Sequence, residues 1–228
     1  MKKIVLLVAF FFVSIFLHAQ SEKINPVELL RERLKKEKNI DSIIHLNNKI
    51  AIELKNNNAV DEALLVLRKT IKFSKKNNNI NGLGGSYLVL TNIYLYGAEL
   101  DSATYYNNKA IESFQKIKSY KNIAKAYLHK SIIFQSKSDF KNQLKYTLIS
   151  LEFAKKSKDF VLMSGNYNNL AMYALDQHKY EEALKYAKNS NKYALISKNE
   201  QSINNSYTGL AESYSFLNDT VNANKTFK

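Results

Sequence analysis

Residues 167–184 read YNNLAMYALDQHKYEEAL, and this stretch decides the fold. Tyr167, Leu170, Ala171 and Ala174 fall at i, i+3, i+4 and i+7, the spacing of one apolar stripe on an α-helix. A polar break at Asp176-Gln177-His178 follows, and Ala183, Tyr186 and Ser190 then start a second stripe at helical spacing. The same pattern recurs at a fixed interval. Tyr87, Tyr127, Tyr167 and Tyr207 lie forty residues apart. Leu90, Lys130, Leu170 and Leu210 form the next column, and Thr91, Ser131, Ala171 and Ala211 the one after it. A further aromatic column, Tyr94, Phe134 and Tyr214, is broken by Ala174. In the second half of each unit the columns are Ala63, Ala103, Gln143, Ala183 and Ala223, then Val66, Tyr106, Tyr146 and Tyr186. Self-similarity at one fixed spacing marks a stacked repeat, in which each unit buries its apolar face against the next.

Each unit reads as two antiparallel helices of about seventeen residues joined by short polar turns such as Asn77-Asn78-Asn79. Six Gly and one Pro in 228 residues leave little to interrupt helices. The expected architecture is all-α, an α-solenoid of antiparallel helix pairs. The expected units are 40–79, 80–119, 120–159, 160–199 and an incomplete 200–228. Residues 20–39 supply an N-terminal cap helix, opened by Asn25-Pro26-Val27-Glu28 with an N-cap, a first-turn Pro and a Glu placed for a capping box.

These columns resemble the tetratricopeptide (TPR) pattern, with Tyr167-Asn168-Asn169-Leu170-Ala171 and Tyr180-Glu181-Glu182-Ala183-Leu184 its nearest matches. The period is forty rather than thirty-four and no Pro closes a unit. The extension is similar to the exported N-terminal TPR regions of bacterial signalling regulators. The resemblance implies a non-catalytic scaffold that binds a protein or peptide in a concave groove. It also implies which face lines that groove: the side of each first helix opposite its packing stripe. On that face lie Val89, Asn92 and Tyr96 in the second unit, Lys125, His129 and Ile132 in the third, and Asn169, Met172 and Asp176 in the fourth. Asn205, Glu212 and Phe216 follow in the fifth. Asn offers a donor and an acceptor to a peptide backbone, and the apolar residues accept side chains. Charge over the face is balanced, Lys49 and Lys125 against Asp176 and Glu212.

The first nineteen residues read as a targeting segment. Lys2 and Lys3 precede an apolar run over residues 4–17, and Ala19-Gln20 offers a cleavage point. That run is short of the roughly twenty residues a membrane span needs. Export to the periplasm or exterior is expected, with membrane attachment only if the segment stays uncleaved.

The hydrophobic fraction, 45%, suffices for a sizeable core, and the absence of Cys excludes disulfides and thiol chemistry. The formal charge is +14, yet the only Arg are Arg31, Arg33 and Arg68, and phosphate-reading surfaces favour Arg forks. Lys75, Lys76, Lys116, Lys118, Lys155, Lys156, Lys158 and Lys198 fall at the ends of second helices, where positive charge complements the helix dipole. No specific nucleic-acid partner is expected. His45, His129 and His178 stand at no metal-ligand spacing. Gly82-Leu83-Gly84-Gly85 lacks the spacing and the Lys of a phosphate loop and reads as close helix packing. No cofactor, metal or catalytic residue is expected. Two alternatives stand beside the scaffold: the truncated N-terminal sensor region of a membrane-bound histidine kinase or transcriptional regulator, and a polyanion or envelope-surface binder that uses the Lys-rich helix ends.

Overall fold

A computed structural model describes residues 25–226. The expected leader, residues 1–19, lies outside the described residues. The described chain consists of α-helices in series: α1 (Pro26–Lys36), α2 (Ile40–Asn56), α3 (Val60–Lys76), α4 (Ile80–Tyr96), α5 (Leu100–Lys116), α6 (Tyr120–Ser136), α7 (Phe140–Lys156), α8 (Phe160–Asp176), α9 (Tyr180–Ser197), α10 (Glu200–Phe216) and α11 (Thr220–Lys225). From α2 to α10 each helix has 17 residues, except α9 with 18.

The turns carry a second regularity that the apolar pattern does not announce. Asn58, Asn78, Ala98, Lys118, Ser138, Lys158, His178, Lys198 and Asn218 all have left-handed backbone, with φ between 51° and 61°. They recur every twenty residues, once at the C-terminal end of each helix from α2 to α10. At most of these ends the next amide reaches back five residues, as Ala59 N to Leu54 O at 2.8 Å and Asp159 N to Ala154 O at 3.0 Å. That is the Schellman closure, which satisfies the last carbonyls of a helix. Glycine usually holds this position because it lacks the Cβ that crowds a left-handed residue. Here no glycine does. Lys75, Lys76, Lys116, Lys155 and Lys156 lie in the last turns, as the dipole reading expects.

At the start, Asn25 Oδ1 accepts from the Val27 amide at 3.0 Å, with Pro26 at the first helical position. The expected capping box is not formed. The bond goes to the second amide rather than the third, and no return bond from Glu28 is made among the described residues. Val27, Leu30 and Leu34 of α1 pack into the core at the level of α2.

Every helix contacts the next, but only alternate helices of one set touch each other: α2 with α4, α4 with α6, α6 with α8, and α8 with α10. No such contact links α3, α5, α7 and α9 among the described residues. The first helices therefore sit closer together, as the inner layer of a curved stack. The second helices splay on the outside. The core is the seam between the two layers. Ala63, Ala103, Gln143, Ala183 and Ala223 are all buried on it, as are Thr70, Ala110, Ser150 and Ser190. Small residues at these columns let the helix pairs approach, and Ser150 and Ser190 also cross the seam. Ser150 Oγ donates to Ala124 O at 2.8 Å, and one period later Ser190 Oγ donates to Ser164 O at 3.0 Å.

Candidate functional site: a depression on the concave face

Among the described residues, the inner layer includes two depressions. The larger, of about 590 Å3, is bounded by α2, α4 and α6. It brings together five of the residues placed on the face above: Lys49 from α2, Val89 and Asn92 from α4, and Lys125 and His129 from α6. The second, about 140 Å3, lies between α6, α8 and α10 and holds Ile132, Asn169 and Asn205. Tyr96, Met172 and Asp176 line neither. Tyr96 stands exposed at the end of α4 with Lys55 Nζ 5.0 Å from its ring centre, and that ammonium also reaches Asn92 Oδ1 at 3.5 Å. Met172 is exposed on α8, with its sulfur 3.9 Å from Asn168 Nδ2.

His45, Asn48, Lys49 and Ile52 of α2 form the third wall of the larger depression. Of these, sequence reasoning placed only Lys49 on the face. The signal for the others was present: His45 stands one period before Gly85 and two before Lys125, and Ile52 one period before Asn92 and two before Ile132. Phe114, 1% exposed, reaches the floor from α5 through the gap left by Gly84. Ser86 Oγ donates to Asn48 Oδ1 at 2.9 Å and ties α4 to α2 beneath the wall.

Electrostatically the two halves of the face differ. Lys49, Lys125, His45 and His129 converge on the larger depression, and Asp41 is the one acid in its lining. Asp176 and Glu212, counted as the balancing charges, line neither depression. The balance holds over the whole face and fails locally, because the acids sit one and two units further along the stack. Desolvation pushes the His129 imidazole down to about 4, with Lys125 adding to the fall, so His129 is neutral at pH 7. Its Nδ1 is buried without a protein partner. His45 is lowered as well, by desolvation first and then by Lys49, Arg33 and Lys125. Two neutral imidazoles, two ammonium groups and several amides make a hydrogen-bonding surface with a positive bias.

Gly82, Gly84 and Gly85 lie inside the first turns of α4, whose N-cap Asn79 Oδ1 accepts from Gly82 N at 2.7 Å. Gly82 and Gly84 pack closely, as expected, against Ile44 and Phe114, while Gly85 has room for a side chain; none of the three lies in a loop. Among the described residues no group of three or more His, Asp or Glu is placed to hold a metal, and no helix is long and apolar enough to cross a membrane.

No family model matches the chain, and no curated protein matches it. Solved structures do. BtubC (BKLC) from P. vanneervenii superposes with a TM-score of 0.71 at 14% identity, over 88% of this chain and 83% of that one. The apo form of RapI gives 0.63 at 14% identity, over 96% and 94%. A signal-transduction ATPase with a tetratricopeptide repeat sensor from Pyrococcus horikoshii gives 0.65 at 20% identity, over 82% of this chain and 29% of that protein. The class follows from the fold: an α-solenoid of TPR-like helix pairs. Among TPR-like proteins are kinesin light chain-like repeats, with a TM-score of 0.61 at 12% identity. This chain has the TPR-like repeat fold.

Proposed function

We propose that the protein is an exported, non-catalytic scaffold that holds a protein or peptide segment against its concave face, centred on the depression between α2, α4 and α6. The observation that carries this reading is the convergence of Asn92, Lys125 and His129 with Asn48 and Lys49 around an apolar floor in one depression of about 590 Å3. Amides and neutral imidazoles meet backbone groups, Val89 and Ile52 meet side chains, and Lys49 with Lys125 favours a partner that brings a carboxylate. The fold neighbours support a scaffold; the groove and its contents are our reading. Amide hydrogen exchange with a bound partner tests it. Protection is expected over residues 45–52, 88–92 and 125–132. Protection confined to the Lys-rich ends of α3, α5 and α7 would instead favour a polyanion binder.

Export belongs to the same proposal, with residues 1–19 as leader and 20–39 as cap. The mature chain then begins at Gln20. N-terminal sequencing that finds Met1 on membrane-bound protein would contradict it. The sensor region of a longer regulator would share this groove and would carry an output domain after residue 228.

A further inference from the structure

The two edges of the stack, where the helix ends meet, differ in charge more than the helix dipole requires. Consecutive helices run antiparallel. The C-terminal ends of α1, α3, α5, α7 and α9 therefore share one edge with the N-terminal ends of α2, α4, α6, α8 and α10. Dipole complementarity favours cations at the C-terminal ends of both sets and acids at the N-terminal ends of both. Among the second helices and the cap, α1, α3, α5 and α7 follow it with Lys in the last turn. The first helices α4, α6 and α8 have neither a basic residue in the last turn nor an acidic one in the first. Both omissions act in one direction and leave the shared edge positive.

The turn residues mark the same edge. Of those with left-handed backbone, Lys118, Lys158 and Lys198 lie on it with Asn78, whereas Asn58, Ala98, Ser138, His178 and Asn218 lie on the opposite edge. A Lys in that conformation bears Cβ crowding that Gly would avoid. Neighbouring turns stand side by side: Asn122 Nδ2 donates to Asn81 Oδ1 at 3.0 Å, and Lys121 Nζ is 2.9 Å from Asp159 Oδ2. Lys75, Lys76, Lys116, Lys118, Lys155 and Lys158 are exposed and in no ion pair among the described residues. Exposed Ile80, Ile117, Tyr120 and Phe160 stand among them. The opposite edge also exposes apolar residues, Tyr96, Phe140 and Phe216, so charge is what sets the two apart.

We infer that this edge rests on a bilayer surface rich in anionic phospholipid, leaving the concave face free for its own partner. Unpaired ammonium groups on long stems suit a diffuse array of headgroup phosphates. The apolar side chains between them enter the headgroup boundary while the Lys heads stay in water. Turns 75–81, 115–121 and 155–161 contain no Arg, and a nucleic-acid backbone is the poorer fit because phosphate-reading surfaces favour Arg forks.

Vesicle cosedimentation tests this with the chain from Gln20 on, which keeps every described helix and leaves out the apolar run over residues 4–17. Binding is expected to vesicles of phosphatidylglycerol mixed with phosphatidylcholine, with little to phosphatidylcholine alone, and it weakens as salt rises. Lys116→Gln with Lys118→Gln and Lys158→Gln is expected to weaken it by about tenfold or more, since each Lys near an anionic surface contributes roughly fivefold. Lys137→Gln with Lys141→Gln and Lys179→Gln removes the same charge from the opposite edge. That edge is one helix length away, about 25 Å and several Debye lengths, so binding stays nearly unchanged. All six lysines are exposed, and folding is not at stake. Equal losses in the two triple variants, or no binding to the mixed vesicles, overturn the inference. So does a DNA duplex that displaces the chain from vesicles at equal phosphate concentration, which would make the edge a general polyanion site. Neither outcome alters the hydrogen-exchange pattern expected in the groove, so the two readings fail separately.

Discussion

The Phe114 ring occupies the space that a side chain on Gly84 would need: a Cβ there would stand 2.7 Å from Phe114 Cε1. The pair exchanges volume across the α4–α5 seam. Where α6–α7 and α8–α9 have Ala124 with Ala154 and Ser164 with Ala194, this pair has nothing on one side and a full ring on the other.

Gly84→Ala is therefore expected to destabilise by about 1–3 kcal/mol, since the added methyl must displace a fully buried ring. Gly85, whose Cβ would meet only Asn48 Nδ2 at 3.5 Å, has room. Gly85→Ala is expected to stabilise by about 0.5–1 kcal/mol through the backbone entropy that Gly loses in a helix. Denaturant melts of the two variants check this; shifts of equal sign would contradict the packing described.

The left-handed turn residues give a second set of expectations. Lys118 and Lys158 are exposed and hold φ of 53° and 52°. Lys118→Gly or Lys158→Gly relieves the Cβ crowding, and each is expected to raise stability by about 0.5–1 kcal/mol. Losses of that size at both sites in chemical melts would show that the turns are not closed as described.

Tyr127 is half-buried between Tyr146 and Phe153. Tyr127→Ala is expected to cost about 3 kcal/mol, at the lower end of aromatic truncations because the ring is not fully buried. Lys155→Ala, on an exposed helix end, stays within about 0.5 kcal/mol. Equal midpoint losses for the two would contradict the repeat register.

His129 makes stability depend on pH with a definite sign. Its folded-state pKa, about 4, lies below the ordinary value of 6.5, so between these values the unfolded chain binds the proton more readily. Stability is full above pH 6.5, falls as pH drops toward 4 and changes no further from this group below that. The loss is about 1–3 kcal/mol, discounted for partial exposure of the ring. In His129→Gln this component is absent, and the difference between the two pH–stability curves isolates it from the carboxylates. Superimposable curves would contradict burial of the imidazole.

Much of the fold was legible because one interval of forty residues repeats in columns whose burial is set by the same seam. The helix class and helix length follow from that interval, and the inner face from the resemblance to the TPR pattern. Less legible were columns where polarity and burial disagree. Asn107 and Asn166 are polar yet fully buried; their Nδ2 groups donate to Ala126 O and Leu162 O at 2.9 and 2.8 Å. Lys130, half-buried in a column of Leu, turns its Nζ to Asn108 Oδ1 at 2.9 Å and over the Tyr146 ring, 4.7 Å from its centre. The candidate site was legible in direction and not in grouping. Spacing puts Asn92, Lys125 and Asn169 on one face, but where that face deepens depends on Gly84 and Phe114, which belong to different helices.

The most direct test of the central claim is the affinity of a partner, isolated with the mature chain as bait, for two sets of variants. Asn92→Ala with Lys125→Gln is expected to weaken binding by about 1–3 kcal/mol, roughly five- to 150-fold, while leaving the melt nearly unchanged. Lys116→Gln with Lys156→Gln and Lys158→Gln is expected to leave the affinity nearly unchanged at physiological salt. If the second set abolishes binding and the first is silent, the concave face is not the site.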